Sequence, residues 1–194
     1  PRPSHADLTA KIKYKGFNDY RGGGHFSGRL TAPLVFAGAI AKQALAKYKI
    51  TIGAHILKIH HVSDTAFDYL TANEEEIENL ARKVFPVLDD KQGEKMQQAI
   101  LQAKEQQNSV GGVIELIALN LPVGLGAPYF DSVESHLSHG LFSVPAVKGV
   151  EFGLGFDFAT LTGKEANDEL YYKDNKVCAY TNNNGGITGG LTNG

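Results

Sequence analysis

Residues 20–33 read Tyr20-Arg21-Gly22-Gly23-Gly24-His25-Phe26-Ser27-Gly28-Arg29-Leu30-Thr31-Ala32-Pro33. Four glycines among seven positions allow the backbone to turn tightly and to come close to a ligand. Pro33 suits the first turn of a helix, and apolar residues recur at helical spacing after it. Such a helix would point free N–H groups back at the loop, where Arg21 and Arg29 add charge that suits phosphate or carboxylate. The stretch therefore indicates an anion-binding loop before a helix, and a glycine-rich turn with charged rims is the alternative.

The composition is that of a soluble globular domain, and it excludes several classes of function. The 194 residues are 42% hydrophobic and 21% charged, which is enough for one domain with its own core. A net charge of −2 argues against broad nucleic-acid binding, because that needs a strongly basic face. The single cysteine, Cys178, fits a reducing compartment, and no apolar run approaches the roughly 18 residues of a membrane span. We expect a cytoplasmic protein with no nucleic-acid or membrane partner.

The hydrophobic pattern predicts a mixed α/β (α+β) fold, because helical and strand-like segments are interspersed along the chain. Asn73 is predicted to cap a helix, with Glu76 completing a reciprocal capping box. The nearly continuous apolar run from 113 to 121 predicts a buried central strand. The predicted helices cover 33–48, 73–86, 92–108 and 131–142, and the predicted strands cover 51–62, 113–121 and 147–158.

Few residues outside the loop carry candidate chemistry. The glycines miss the spacing of dinucleotide and P-loop motifs. His136 and His139 have a spacing that could ligate a metal, but no third ligand is suggested, so no metal site is predicted. Cys178 has no evident setting that would make it reactive. Arg2 with His5 is the better candidate, because a histidine can transfer protons near neutral pH and a cation lies beside it.

Several longer motifs resemble those of the chorismate synthase family, in the same order and over essentially the whole chain. The resemblance implies a β-α-β sandwich fold, usually assembled as a homotetramer. It also implies a lyase that converts 5-enolpyruvylshikimate 3-phosphate to chorismate by anti 1,4-elimination of phosphate and requires reduced FMN (FMNH2). The motifs are Arg2-Pro3-Ser4-His5-Ala6-Asp7, Asp19-Tyr20-Arg21-Gly22-Gly23-Gly24, Ser27-Gly28-Arg29-x-Thr31, Pro122-Val123-Gly124-Leu125-Gly126, Lys148-Gly149-Val150-Glu151 and Asn182-Asn183-Asn184-Gly185-Gly186.

The same resemblance implies roles for individual residues. His5 matches the histidine that the family uses beside the reduced flavin. Arg2 and Arg29 match contacts to the anionic groups of the substrate. The residues implied to contact the flavin are His25, Phe26, Ser27, Gly28, Pro145, Ala146 and Gly194.

The chain also departs from the family pattern. His25 to Arg29 replaces the common Arg-Ser-Ser-Ala-Arg, and Pro145 stands where asparagine is frequent. The family's Gly-x-Ser-His-Gly motif is absent, and Ser138-His139-Gly140 is on the wrong side of the chain to replace it. We therefore expect residues 1–194 to be a single domain, the central fragment of a longer chorismate synthase, and to be inactive alone. The alternative is a non-catalytic domain of the same fold that binds a phosphorylated ligand or assembles subunits.

Overall fold

The structure, a computed structural model, describes residues 1–194 and confirms the predicted mixed α/β class. Helices and strands are interspersed, and the strands form one three-stranded sheet and two small hairpins. The helices are α1 (Asp7–Lys13), α2 (Thr31–Ala46), α3 (Glu74–Arg82), α4 (Asp90–Glu105), α5 (Val133–Phe142) and α6 (Gly163–Ala166). The strands are β1 (Thr51–Ile59), β2 (Val62–Ser63), β3 (Gly112–Leu119), β4 (Leu170–Lys173), β5 (Lys176–Ala179), β6 (Ile187–Thr188) and β7 (Leu191–Thr192).

The largest sheet has β1 at its centre, antiparallel to β2 on one side and to β3 on the other. Helices α3 and α4 pack on one face of this sheet and bury Ile77, Leu80 and Met96. A Cβ on Gly53 of β1 would lie 2.7 Å from Ile77 Cγ1, so α3 packs directly against the strand backbone. The main core of the chain therefore lies between the sheet and these two helices.

Strand β3 was predicted to be buried and central, and the structure shows that this is wrong. It pairs only with β1, so it is an edge strand. The side chains of Val113, Ile114 and Leu116 are exposed. A continuous apolar run predicts burial on both faces, but within this chain only the face towards α3 and α4 is covered.

Helix α2 confirms the helix predicted after the glycine-rich loop, with its start two residues earlier, at Thr31. No residue of the helix is buried, although it is almost wholly apolar. Val35 and Phe36 are 70% and 71% exposed. Within this chain, β1 is the only strand that α2 contacts appreciably.

One of the two hydrogen bonds predicted for the capping box of α3 is present. Asn73 Oδ1 accepts a hydrogen bond from the backbone N–H of Glu76 at 3.1 Å. The reciprocal hydrogen bond, in which the Glu76 carboxylate would accept from the backbone N–H of Asn73, is not formed. None of the helices combines the length and apolar character that crossing a membrane would require.

The strand predicted over 147–158 is wrong, because this segment is a loop that ends in a 3₁₀ turn at Gly155–Thr160. Gly153 adopts a φ of +57°, which a strand does not allow. The loop instead docks on the Asn182–Gly185 turn, where the backbone N–H of Leu154 donates to Asn183 O at 2.8 Å. The segment is thus held by a backbone contact with this turn and not by strand pairing.

The hairpin of β6 and β7 organises the end of the chain. Thr192 exchanges backbone hydrogen bonds with the Pro122–Gly126 motif, donating to Leu125 O at 3.0 Å and accepting from Gly124 N at 2.8 Å. The backbone N–H of Val133, at the start of α5, donates to Gly190 O at 3.0 Å. Motifs far apart in the sequence are thereby brought together around this hairpin.

Candidate functional site

Arg2, His5 and Asp7 form a hydrogen-bonded cluster in the turn that leads into α1. Asp7 Oδ1 lies 2.7 Å from His5 Nδ1 and 2.9 Å from Arg2 Nη2. Asp7 Oδ2 accepts from Arg2 Nε at 3.0 Å and from the Arg2 backbone N–H at 2.9 Å. Hydrogen bonds from Arg2 hold the pKa of Asp7 well below its ordinary range, so the carboxylate stays charged.

The His5 ring is positioned by this cluster and remains accessible. Its side chain is 30% exposed, and Nδ1 faces Asp7. Nε2, the other ring nitrogen, makes no hydrogen bond with the protein. His5 therefore presents one free nitrogen to a ligand while the other is held.

The glycine-rich loop folds into two 3₁₀ turns, Gly24–Phe26 and Gly28–Leu30. The His25 ring packs on Phe26 with ring centroids 4.3 Å apart, and its edge meets Tyr14 at 6.0 Å. Because Tyr14 is the C-cap of α1, this contact fixes the loop to the end of that helix. Ser27 Oγ accepts from the backbone N–H of Arg29 at 3.4 Å, which shapes the turn that leads into α2.

Arg29 differs from the other arginines of the chain. Its guanidinium makes no hydrogen bond or ion pair with the protein, whereas Arg2, Arg21 and Arg82 each pair with a carboxylate. Arg21 binds Asp19 with both prongs of its fork and lowers the pKa of Asp19 to about 2. The loop therefore offers one free cation for an anion, and it is Arg29 and not Arg21.

A second cluster of charged side chains is buried beneath α4. His55 Nε2 lies 2.6 Å from Glu115 Oε2, and His55 Nδ1 lies 3.1 Å from Asp64 Oδ2. The side chains of His55 and Asp64 are fully buried. Tyr69 donates its hydroxyl and Phe67 its backbone N–H to Glu115. Asp64 also accepts the backbone N–H groups of residues 88 and 89.

Burial and hydrogen bonding act in opposite directions on this cluster. Burial lowers the pKa of His55, but the hydrogen bonds and charges of Glu115 and Asp64 outweigh it, so the pKa is raised. Burial raises the pKa of Glu115, but hydrogen bonds from His55, Tyr69 and Phe67 lower it on balance. The cluster is therefore an imidazolium held between carboxylates.

A family model described as chorismate synthase matches residues 1–194, the whole chain. The chain belongs to the chorismate synthase family. A chorismate synthase of Pyrococcus abyssi (strain GE5 / Orsay) is 48% identical over 195 residues, covering 100% of this chain and 52% of that relative. A chorismate synthase of Thermococcus gammatolerans (strain DSM 15229 / JCM 11827 / EJ3) is 45% identical, again over 100% of this chain and 52% of the relative. The chain thus spans about half the length of these curated relatives.

Structural comparison agrees with this assignment. A crystal structure of a chorismate synthase superposes on the chain with a TM-score of 0.84 and 32% sequence identity. The match covers 97% of this chain and 60% of that structure. The mixed α/β fold is therefore that of a chorismate synthase.

The residues predicted for a chorismate synthase site occupy four separate places. His25, Phe26, Ser27, Gly28 and Arg29 lie together in the loop before α2, at one end of α1. Arg2 and His5 lie at the other end of α1, which is roughly 10 Å long at the α-helical rise. Pro145 and Ala146 follow α5 and are exposed, and Gly194 lies beside Val123. No hydrogen bond or ion pair joins these four places.

Two surface grooves of the chain do not coincide with the predicted site residues. Two grooves of about 330 Å³ and 200 Å³ lie along α3 and α4, and neither is lined by a predicted site residue. No group of three or more histidine, cysteine, aspartate or glutamate side chains is arranged to hold a metal ion.

Sequence reasoning missed two features that the structure shows. Asp7 was not singled out, although a carboxylate two residues after His5 at a helix start is within reach of the ring. The His55 cluster was also missed. Its signal is Glu115, a charged residue inside an apolar strand, which lies opposite His55 in the register of β1 and β3.

Proposed function

We propose that the complete gene product containing this chain is a carbon–oxygen lyase of the shikimate pathway of aromatic amino acid biosynthesis. It converts 5-enolpyruvylshikimate 3-phosphate to chorismate by anti 1,4-elimination of phosphate. The observation that carries the proposal is the unpaired guanidinium of Arg29 at the start of α2, beside the open Ser27-Gly28 turn. A free arginine there suits a substrate that carries carboxylates and a leaving phosphate.

The loop also fits a flavin. A Cβ on Gly28 would meet no atom within 4 Å, so its backbone is open to a ligand. The stacked rings of His25 and Phe26 offer an aromatic surface beside it. When bound, reduced FMN supplies electron density that helps the phosphate to leave. Ser27, Gly28, Pro145, Ala146 and Gly194 are the proposed backbone and side-chain contacts to this cofactor.

Three residues of the chain are proposed to bind the substrate or to transfer a proton. Arg29 binds an anionic group of the substrate and offsets charge that builds up as the phosphate departs. Arg2 offers Nη1, the terminal nitrogen that Asp7 does not use, to a second anionic group. His5 exchanges a proton through Nε2, which no protein group occupies. The substrate loses one proton and one phosphate, so no net oxidation occurs.

A homotetramer is part of the proposal. The uncovered apolar side chains of α2 and β3 support it, because a surface of this kind is typical of an interface. The same observation also favours the alternative, a domain of this fold that only assembles subunits or binds a phosphorylated ligand. Measuring whether chorismate is formed distinguishes the enzyme from this non-catalytic alternative.

The proposed role of His5 is tested by replacing it in the complete gene product. His5→Ala is expected to lower chorismate production by roughly 10²-fold or more, because positioned acid–base groups contribute about that much. His139→Ala is the matched control. This histidine is exposed on α5 and belongs to a Ser-His-Gly sequence outside the site, so turnover should stay at the wild-type level. Near-wild-type turnover of His5→Ala would contradict the role.

A further inference from the structure

The His5–Asp7 contact fixes which ring nitrogen carries a proton. A carboxylate can only accept hydrogen bonds, and Asp7 Oδ1 lies 2.7 Å from His5 Nδ1. A lone pair on Nδ1 would face a negative oxygen at that distance, so Nδ1 carries the hydrogen and donates it. The neutral ring then has its lone pair on Nε2.

Arg2 does not compete for the same nitrogen. Its Nη2 lies 3.2 Å from His5 Nδ1, but two donors cannot share a hydrogen bond. The distance arises because both groups bind Asp7 Oδ1, at 2.9 Å and 2.7 Å. Arg2 therefore acts on Asp7 and not on the ring.

The Asp7 carboxylate is held in place more firmly than an exposed side chain ordinarily is. Arg2 donates hydrogen bonds to both carboxylate oxygens through Nε and Nη2, and its backbone N–H donates a third. A bidentate arginine pair fixes direction as well as charge. Asp7 begins α1, so its backbone is anchored by the helix.

From this geometry we propose that Asp7 is the positioning residue for His5, and that Arg2 holds Asp7 in place for that task. Asp7 keeps the proton on Nδ1 and aims Nε2 at the ligand. Proton exchange then takes place at Nε2, where one hydrogen is gained or lost while the Nδ1–H bond to Asp7 stays intact. The inference rests on the proposed function of His5 but concerns its ring state, which is measurable without turnover.

The first measurement is of the ring itself. In the ¹⁵N-histidine-labelled complete gene product without ligand, the His5 signals are identified by their loss in His5→Ala. At a pH where the ring is neutral, the ring-nitrogen shifts should show hydrogen on Nδ1 in the wild type. In Asp7→Asn that preference should be lost, because an amide can donate to Nδ1 as well as accept from it. A wild-type ring with hydrogen on Nε2 would overturn the proposal, whether or not any variant folds.

The second measurement is kinetic. Asp7→Asn should lower kcat by at least about 10-fold, because a wrongly protonated ring impairs proton transfer. KM should stay within about threefold, because the side-chain amide oxygen introduced by this substitution can still accept a hydrogen bond from Arg2. The matched control is Asp90→Asn, which removes a carboxylate from a 2.7 Å pair with Lys83 outside the site. It should change neither kcat nor the His5 signals.

The two measurements separate this inference from the proposed function. Wild-type kcat in Asp7→Asn would overturn the positioning role. A complete gene product that forms no chorismate would refute the proposed function, while the ring-nitrogen shifts would still decide whether Asp7 sets the state of His5.

Discussion

His55 links β1 to two other parts of the chain through buried contacts with charged side chains. It joins β1, through Glu115, to β3 and, through Asp64, to the segment that precedes α4. A buried ion pair contributes little relative to an apolar core, but removing one partner is costly because the other charge stays buried. We therefore expect the contributions of His55, Glu115 and Asp64 to the free energy of unfolding to depend on one another.

Glu115→Gln should lower the free energy of unfolding by about 3–5 kcal/mol, because it leaves the His55 imidazolium with one carboxylate fewer in a buried site. The matched control is Glu78→Gln, the same substitution in an exposed helical pair with Arg82, for which little change is expected. Urea unfolding of the complete gene product measures both. Equal effects of the two variants would contradict the role given to the buried cluster.

The pH dependence of unfolding follows from the same groups. His55 has a raised folded pKa, so its contribution is complete below the unfolded value of 6.5 and is lost as the pH rises through the folded pKa. Glu115 has a lowered folded pKa, so its contribution is complete above 4.5 and is lost as the pH falls. Stability from this cluster is therefore greatest between these values. Without the Glu115 charge, the folded pKa of His55 should be raised less. In Glu115→Gln, the free energy of unfolding should therefore fall less steeply as the pH rises above 6.5.

At the scale of elements, the loop 148–155 and the turn 182–185 form one packed unit. The backbone of Gly153 touches that of Asn183, and a side chain on Gly153 would overlap the Asn183 carbonyl. Asp168 holds the turn from the other side, because its carboxylate accepts the backbone N–H groups of Asn183 and Asn184. Pro145 and Ala146, two of the proposed flavin contacts, precede this loop in the chain.

Gly153→Ala should destabilise the protein by at least about 2 kcal/mol, because it combines a left-handed backbone angle with a clash against fixed backbone. Gly149→Ala, in the same loop, is the control. A Cβ there would meet nothing within 4 Å, so little change is expected. Thermal unfolding and FMN binding of the two variants are compared side by side. A Gly153→Ala protein as stable as Gly149→Ala would show that the two segments do not depend on this contact.

Local signals in the sequence were sufficient for some elements and not for others. The helix after Pro33 and the Asn73 cap depend on neighbouring residues, and both were predicted. The loop around Gly153 was mistaken for a strand because its conformation is set by Asn183, thirty residues away. The pairing of His55 with Glu115 joins residues sixty positions apart and needs the register of β1 and β3. At the candidate site, Arg29 and His5 were singled out from their chemistry, and their roles were implied by the family resemblance. The contact of Asp7 with His5 depends on how the turn before α1 folds.

The whole molecule exposes more surface than a compact protein of its size. Its accessible area is 14557 Å², whereas a compact monomer of 20.9 kDa exposes roughly 9,000 Å². Only 16 of the 194 residues are buried. The proposed ligand contacts are likewise spread over four places on the surface, whereas ligand pockets enclose most of a ligand's surface. Activity is therefore expected of the complete gene product and not of residues 1–194 alone.

The most direct test is an anaerobic reaction of the complete gene product with 5-enolpyruvylshikimate 3-phosphate and reduced FMN, with chorismate, phosphate and flavin oxidation state measured together. We expect chorismate and phosphate in equal amounts, many turnovers per flavin and no net flavin oxidation, while residues 1–194 alone give neither product. Tight binding of the substrate without product would support the non-catalytic alternative. Absence of chorismate, or phosphate release matched by flavin oxidation, would contradict the proposed function.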